Sequence, residues 1–68
     1  MLETLRFNDL TLACPEGLTL AALLTQHVVN AEQVATAVNG AFVPRSQREA
    51  TVLSPGDTVL TFQAIVGG

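Results

Sequence analysis

Apolar and polar residues alternate from the start of the chain. Leu5 and Phe7 precede the polar pair Asn8-Asp9, and Leu10 and Leu12 follow it. An apolar face of period two broken by one polar pair predicts a β-hairpin, because Asn and Asp tolerate the positive φ that tight hairpin turns need. Pro15-Glu16-Gly17 stops the second strand, after which the period changes. Leu20, Leu23, Leu24 and Val28 recur at helical spacing behind Thr19, a residue suited to an N-cap. This predicts an amphipathic helix ending between His27 and Asn30. Alternation returns at Val34, Thr36 and Val38, stops at Asn39-Gly40 and resumes in Ala41-Phe42-Val43, the mark of a second hairpin that Pro44 ends. Arg45 to Glu49 has no apolar residue and reads as an exposed turn or a short helical piece, and Thr51-Val52-Leu53 as one brief edge strand. Ser54-Pro55-Gly56-Asp57 is a turn, with Pro presetting φ and Gly accepting a positive one. It leads into the longest strand candidate, Thr58 to Val66.

A single helix must then cover a single sheet. The expected class is α+β, a mixed sheet of four to five strands with one main helix packed on one face and the long last strand in the centre, which is a β-grasp architecture. In that last strand Leu60, Phe62, Ala64 and Val66 share one face, and Val59, Thr61, Gln63 and Ile65 the other. Both faces are largely apolar and the helix covers only one, so a hydrophobic patch should remain open for a partner. Pattern alone would bury Leu60 and Phe62, the larger pair.

Composition narrows the possibilities. The chain has 68 residues, 13% of them charged and 49% hydrophobic, with a net charge of −3. A chain this short buries roughly 60% of its unfolded surface, enough for one modest core and too little for a deep catalytic cavity. Residues 1–68 are therefore read as a single domain. An acidic balance without a basic run argues against nucleic acid and anionic membranes as partners. Glu3, Arg6, Asp9 and Glu16 interrupt any signal-peptide segment, and the longest apolar run, Leu20 to Leu24, is far short of a membrane span. One cysteine, Cys14, excludes an intrachain disulfide and favours a reducing, cytoplasmic setting.

Candidate chemistry is sparse. His27 at a helix end reads as a surface residue, and Cys14, continuing the alternation of Leu10 and Leu12, as a small buried hydrophobe. The six acids Glu3, Asp9, Glu16, Glu32, Glu49 and Asp57 are scattered, and no metal-ligand spacing appears. What stands out is Gly67-Gly68 following the last strand without a break. A diglycine has no side chains, so its α-carboxylate can thread a narrow channel into another protein's active site. A carboxylate is a poor acyl donor at neutral pH, so its use implies prior activation, most simply as an anhydride with AMP made by a partner that binds ATP. The chain also has no Lys, so it offers an acyl adenylate no internal ε-amine, although composition bias accounts for this equally well.

These residues carry a resemblance. The block from Gly56-Asp57 through the apolar run, Phe62-Gln63, and Ala64-Ile65-Val66 to Gly67-Gly68 resembles the ThiS family, the sulfur carriers of thiamine biosynthesis. Asn39-Gly40-Ala41-Phe42-Val43-Pro44-Arg45 is similar to the family's second signature, and Asn8-Asp9 and Pro15 to Leu20 also fit. Phe62-Gln63 favours this family over the related small subunit of molybdopterin synthase. The resemblance implies a ubiquitin-like β-grasp that is a protein cosubstrate and not an enzyme, with residues 67–68 as a flexible tail. It implies that an E1-like adenylyltransferase spends ATP on the Gly68 carboxylate, that a cysteine desulfurase relay supplies sulfur, and that the resulting thiocarboxylate donates it to thiazole synthase, with no cofactor bound. By position it turns Leu60 and Phe62 outward, and with them Val66 on the same face, into a docking patch, against the pattern-based preference. Arg45, after Pro44, reads as an exposed solvated residue, with a partner contact beside the patch as the alternative. The same chemistry in another pathway such as molybdopterin synthesis, or a β-grasp interaction module with an incidental Gly-Gly, stand as alternatives.

Overall fold

The computed structural model describes residues 3–28 and 30–63. Strand β1 (Thr4–Phe7) turns through Asn8-Asp9 into β2 (Leu10–Ala13), helix α1 (Leu20–His27) follows, then β3 (Val34–Val38), β4 (Ala41–Val43) and β5 (Thr58–Gln63). They form one five-stranded mixed sheet in the order β2-β1-β5-β3-β4. β1 runs parallel to β5, and every other neighbouring pair is antiparallel. The expected class, a single main helix and the central last strand are all present. The portion of the last strand expected at Ala64 to Val66 lies outside the described residues.

Local chemistry accounts for the elements. Thr19 is extended and its Oγ1 accepts from the Ala22 N–H at 3.1 Å, capping one of the four amides that open a helix without a partner. Leu20, Leu23 and Leu24 lie on the buried face, and each contributes roughly 1.5–3 kcal/mol by leaving water. At Asn39 and Gly40 φ is 52° and 83°, two successive positive values as a primed hairpin turn requires. In the first hairpin Asn8 alone of its pair has positive φ, 53°. Gly56 takes φ 89° in its turn, closed by Asp57 N–H to the Ser54 carbonyl at 3.1 Å and Ser54 N–H to Asp57 Oδ2 at 2.8 Å.

The core lies between α1 and one sheet face: Leu5, Phe7, Cys14, Leu18, Leu20, Leu23, Leu24, Leu53 and Val59. Three readings need correction. Leu10 lies on the apolar face of its hairpin, opposite Phe7, but at the end of an edge strand it is 55% exposed and not part of the core. Thr51 to Leu53 joins no edge of the sheet: Val52 makes a single bridge to Thr19, and Leu53 donates to the Leu18 carbonyl, so this stretch ties down the helix entry and buries Leu53. The polar stretch from Arg45 begins as a short 3₁₀ helix, Arg45–Gln47, but Arg48 within it is buried.

Candidate docking face and tail

Strand alternation and register separate the two faces of β5. Val59 is fully buried in the core under α1, so Leu60 and Phe62 belong to the opposite, uncovered face. Phe62 is 53% exposed and Leu60 half-buried. The outward placement implied by family resemblance thus prevails over the pattern-based one. On the other side Val59 is packed at full burial among Leu5, Phe7 and the three helix leucines.

Register brings further residues to this face. Phe62 pairs with Ala35 and Leu60 with Ala37, and Ala37 in turn pairs with Phe42 of β4. Phe42 is 67% exposed. The result is a shallow apolar strip, two alanines of β3 between Leu60 and Phe62 on one side and Phe42 on the other. Across β1 the same face turns polar, with Thr4, Arg6 and Thr58. An apolar centre with a polar rim is the makeup of a docking surface. Sequence reading missed Phe42 as a site residue; its neighbour Val43 is also apolar, so alternation in a strand of three residues left its face open.

Arg45 stands beside this strip. It is exposed, its Nη2 donates to the Glu32 carbonyl at 2.8 Å, and it shares a concavity of ≈ 200 Å³ with Ala35 and Phe42. Val66, Gly67 and Gly68 lie outside the described residues.

The remaining candidates are structural. His27 is exposed at the end of α1, its ring centroid 5.8 Å from that of Phe7. Cys14 is 2% exposed, and burial, followed by the charges of Asp57 and Glu3, pushes its thiol above its ordinary value. A buried, protonated thiol is a poor nucleophile. Native protein should therefore react with a thiol reagent only at the rate at which it unfolds, and urea should expose full reactivity; rapid labelling of the folded protein would contradict this assignment. The linkage has a definite sign. The unfolded thiol ionises as pH passes 9.0 while the folded one stays protonated, so this stability is complete below that pH and lost above it. Cys14→Ala should remove that alkaline component from a melting-temperature profile.

Among the described residues, no group of three or more His, Cys, Asp or Glu side chains could hold a metal ion, and no helix is long and apolar enough to cross a membrane.

A mixed sheet with a parallel central pair, one helix across one face and the other face open defines a ubiquitin-like β-grasp protein. The crystal structure of a thiamine biosynthesis protein, ThiS, from Geobacter metallireducens superposes with a TM-score of 0.81 at 29% identity, over 96% of this chain and 99% of that one. The sulfur carrier protein ThiS of Escherichia coli (strain K12) is 39% identical over 62 residues, 91% of this chain and 94% of the relative. The ThiS family model matches residues 3–68, and the chain belongs to the ThiS family.

Proposed function

We propose that this chain, a sulfur carrier of thiamine biosynthesis and not an enzyme, carries sulfur on the carboxylate of Gly68. The observation that carries the reading is an apolar sheet face left open beside the central strand of a ThiS-family chain, with Gly67-Gly68 a few residues beyond that strand. A partner adenylyltransferase of the E1 type binds ATP; the Gly68 carboxylate attacks the α-phosphorus and pyrophosphate leaves. The terminal sulfur of a persulfide, supplied by a cysteine desulfurase relay, then attacks the acyl carbon and AMP departs with its oxygen, leaving an acyl disulfide. A thiol reductant attacks the sulfur remote from the acyl group, a disulfide forms with the relay sulfur, and the thiocarboxylate is released. Thiazole synthase consumes that sulfur and the carboxylate returns. The cytoplasm is the setting this implies, and the single buried thiol is compatible with it.

Leu60, Phe62 and Val66 dock the successive partners on this reading, with Phe42 extending the surface and Arg45 at its rim. Phe62→Asp should raise the KM of the activating enzyme for the carrier about 10–100-fold, the scale of losing one aromatic anchor. Its stability should change by no more than about 1 kcal/mol, because the side chain is already half in water. Steady-state kinetics and a thermal melt on the same sample check both, and an unchanged KM would remove Phe62 from the interface.

The carrier chemistry is tested by intact-mass spectrometry after incubation with ATP, the cognate activating enzyme and a sulfur source. Replacing one carboxylate oxygen by sulfur adds about 16 Da, confined to the peptide that ends in Gly68. No gain, with an activating enzyme proven on a control carrier, would overturn the reading.

A further inference from the structure

β5 outruns its parallel neighbour. The β1–β5 ladder pairs only Arg6 with Thr58 and Phe7 with Val59, whereas on the other side β3 accompanies β5 as far as Gln63. Just where β1 stops, Asn8 takes φ 53° and turns the backbone away. Its own N–H still donates to the Val59 carbonyl at 2.8 Å, and its side chain then does what the next residue of a strand would have done. Oδ1 accepts the Thr61 N–H at 3.0 Å, and Nδ2 donates to Thr61 Oγ1 at 3.0 Å. A carboxamide presents an acceptor and a donor side by side, so it can grip one residue at two points.

The second hairpin repeats the device at the opposite end of the strand. Asn39, at φ 52°, donates its N–H to the Thr58 carbonyl at 2.8 Å. Its Oδ1 accepts the Thr58 N–H at 3.0 Å, and its Nδ2 donates to Asp57 Oδ1 at 3.0 Å. Two left-handed asparagines from the two hairpins thus hold β5, one at its first residue and one where it overhangs β1. They differ in what lies beyond: past Thr58 is the turn at Gly56, and past Thr61 is the run to Gly68.

We infer that Asn8 is a positioning residue for the activation of Gly68, fixing the overhanging end of β5 so that the segment beyond it starts from one place and direction. The inference rests on the carrier reading above. A clamp at Thr61 matters to chemistry at Gly68 because a displacement of about 1 Å at a reacting centre can cost about 100-fold in rate. Asn39 makes as many bonds, two to Thr58 and one to Asp57 in the turn before it, but at the end of β5 remote from the tail, and serves as the internal control.

The test uses the full chain with its activating enzyme and ATP, comparing wild type, Asn8→Gly, Asn8→Asp and Asn39→Gly. Glycine keeps the positive φ and removes only the side-chain grip. Aspartate restores it, one oxygen accepting the Thr61 N–H and the other the Thr61 hydroxyl proton. In Asn8→Gly, hydrogen exchange at the Thr61 amide should speed up about tenfold or more while the Val59 amide is unaffected. The kcat for pyrophosphate release should fall about tenfold with the KM for the carrier within about twofold, since the docking face is intact. Asn8→Asp should recover both, and Asn39→Gly should keep the wild-type kcat. Lost protection at Thr61 without a fall in kcat, unchanged protection, or an equal fall in Asn39→Gly would each overturn the inference. A wild-type chain that releases no pyrophosphate would sink the carrier reading itself, a result distinct from all three.

Discussion

Deleting Gly68, or adding one residue after it, should cut thiocarboxylate formation by at least about 100-fold and leave the melting temperature of the protein unchanged. Deletion is informative because the chain still ends in a glycine carboxylate, that of Gly67, of the same intrinsic reactivity. Only the reach differs. One residue of extended chain is about 3.3–3.6 Å, several times the misplacement that already costs about 100-fold in an oriented reaction. The docking face, built from β3, β4 and β5, is untouched by either change, so both variants should compete with wild type for the activating enzyme at similar concentrations. Loading is followed by intact mass and competition by inhibition of wild-type loading. Normal loading of either variant would remove Gly68 from the role proposed for it. Loss of competition together with loading would mean that the tail contributes mainly to binding.

Much of this fold was legible because its local signals agree with one another. Thr19 before the leucine spacing, Asn39-Gly40 between alternating runs, and Ser54-Pro55-Gly56-Asp57 before the last strand each commit the backbone within a few residues. The candidate site was legible only in part. Leu60 and Phe62 lie on a strand apolar on both sides, where alternation cannot say which face meets the helix, and family resemblance supplied the answer. Phe42 was missed because its partners on the open face, Ala37 and Leu60, are set by register between three strands. Asn8 was read correctly as a turn residue, but its grip on Thr61 spans 53 positions of sequence and has no local signature. Arg48 was the clearest failure. Charge and polar neighbours place such a residue in solvent, and its burial follows from carbonyls that only the folded chain brings together.

Replacing Arg48 by Ala should destabilise the protein by about 2–4 kcal/mol, a large share of the roughly 3–10 kcal/mol available to a domain of this length. The side chain is 6% exposed, and its three hydrogen-bond partners are all neutral oxygens. Nη1 donates to the Ala31 carbonyl at 2.9 Å, Nη2 to the Val34 carbonyl at 2.6 Å, and Nε to Thr36 Oγ1 at 3.4 Å. Thr36, fully buried, donates its own hydroxyl hydrogen bond to the Val43 carbonyl at 3.2 Å. One guanidinium therefore joins the 3₁₀ turn at Ala31–Gln33, the start of β3 and the return strand β4. Burial, and then the nearby charge of Arg45, lowers its pKa, yet an arginine stays protonated through the neutral range, so the charge persists and the carbonyls solvate it. Truncation strands those acceptors in a poorly hydrated place, which costs more than the bonds themselves contributed. Arg48→Met separates packing from hydrogen bonding: it refills much of the stem and restores no donor, so it should melt nearly as low as Arg48→Ala. Arg48→Lys, whose ammonium can reach some of the carbonyls and not all three acceptors at once, should fall between these and wild type. With about 4–8 °C per kcal/mol for a domain of this size, the alanine variant should melt at least about 8 °C below wild type. A methionine variant as stable as wild type would mean that the carbonyls find water without the guanidinium, and that Arg48 contributes volume alone.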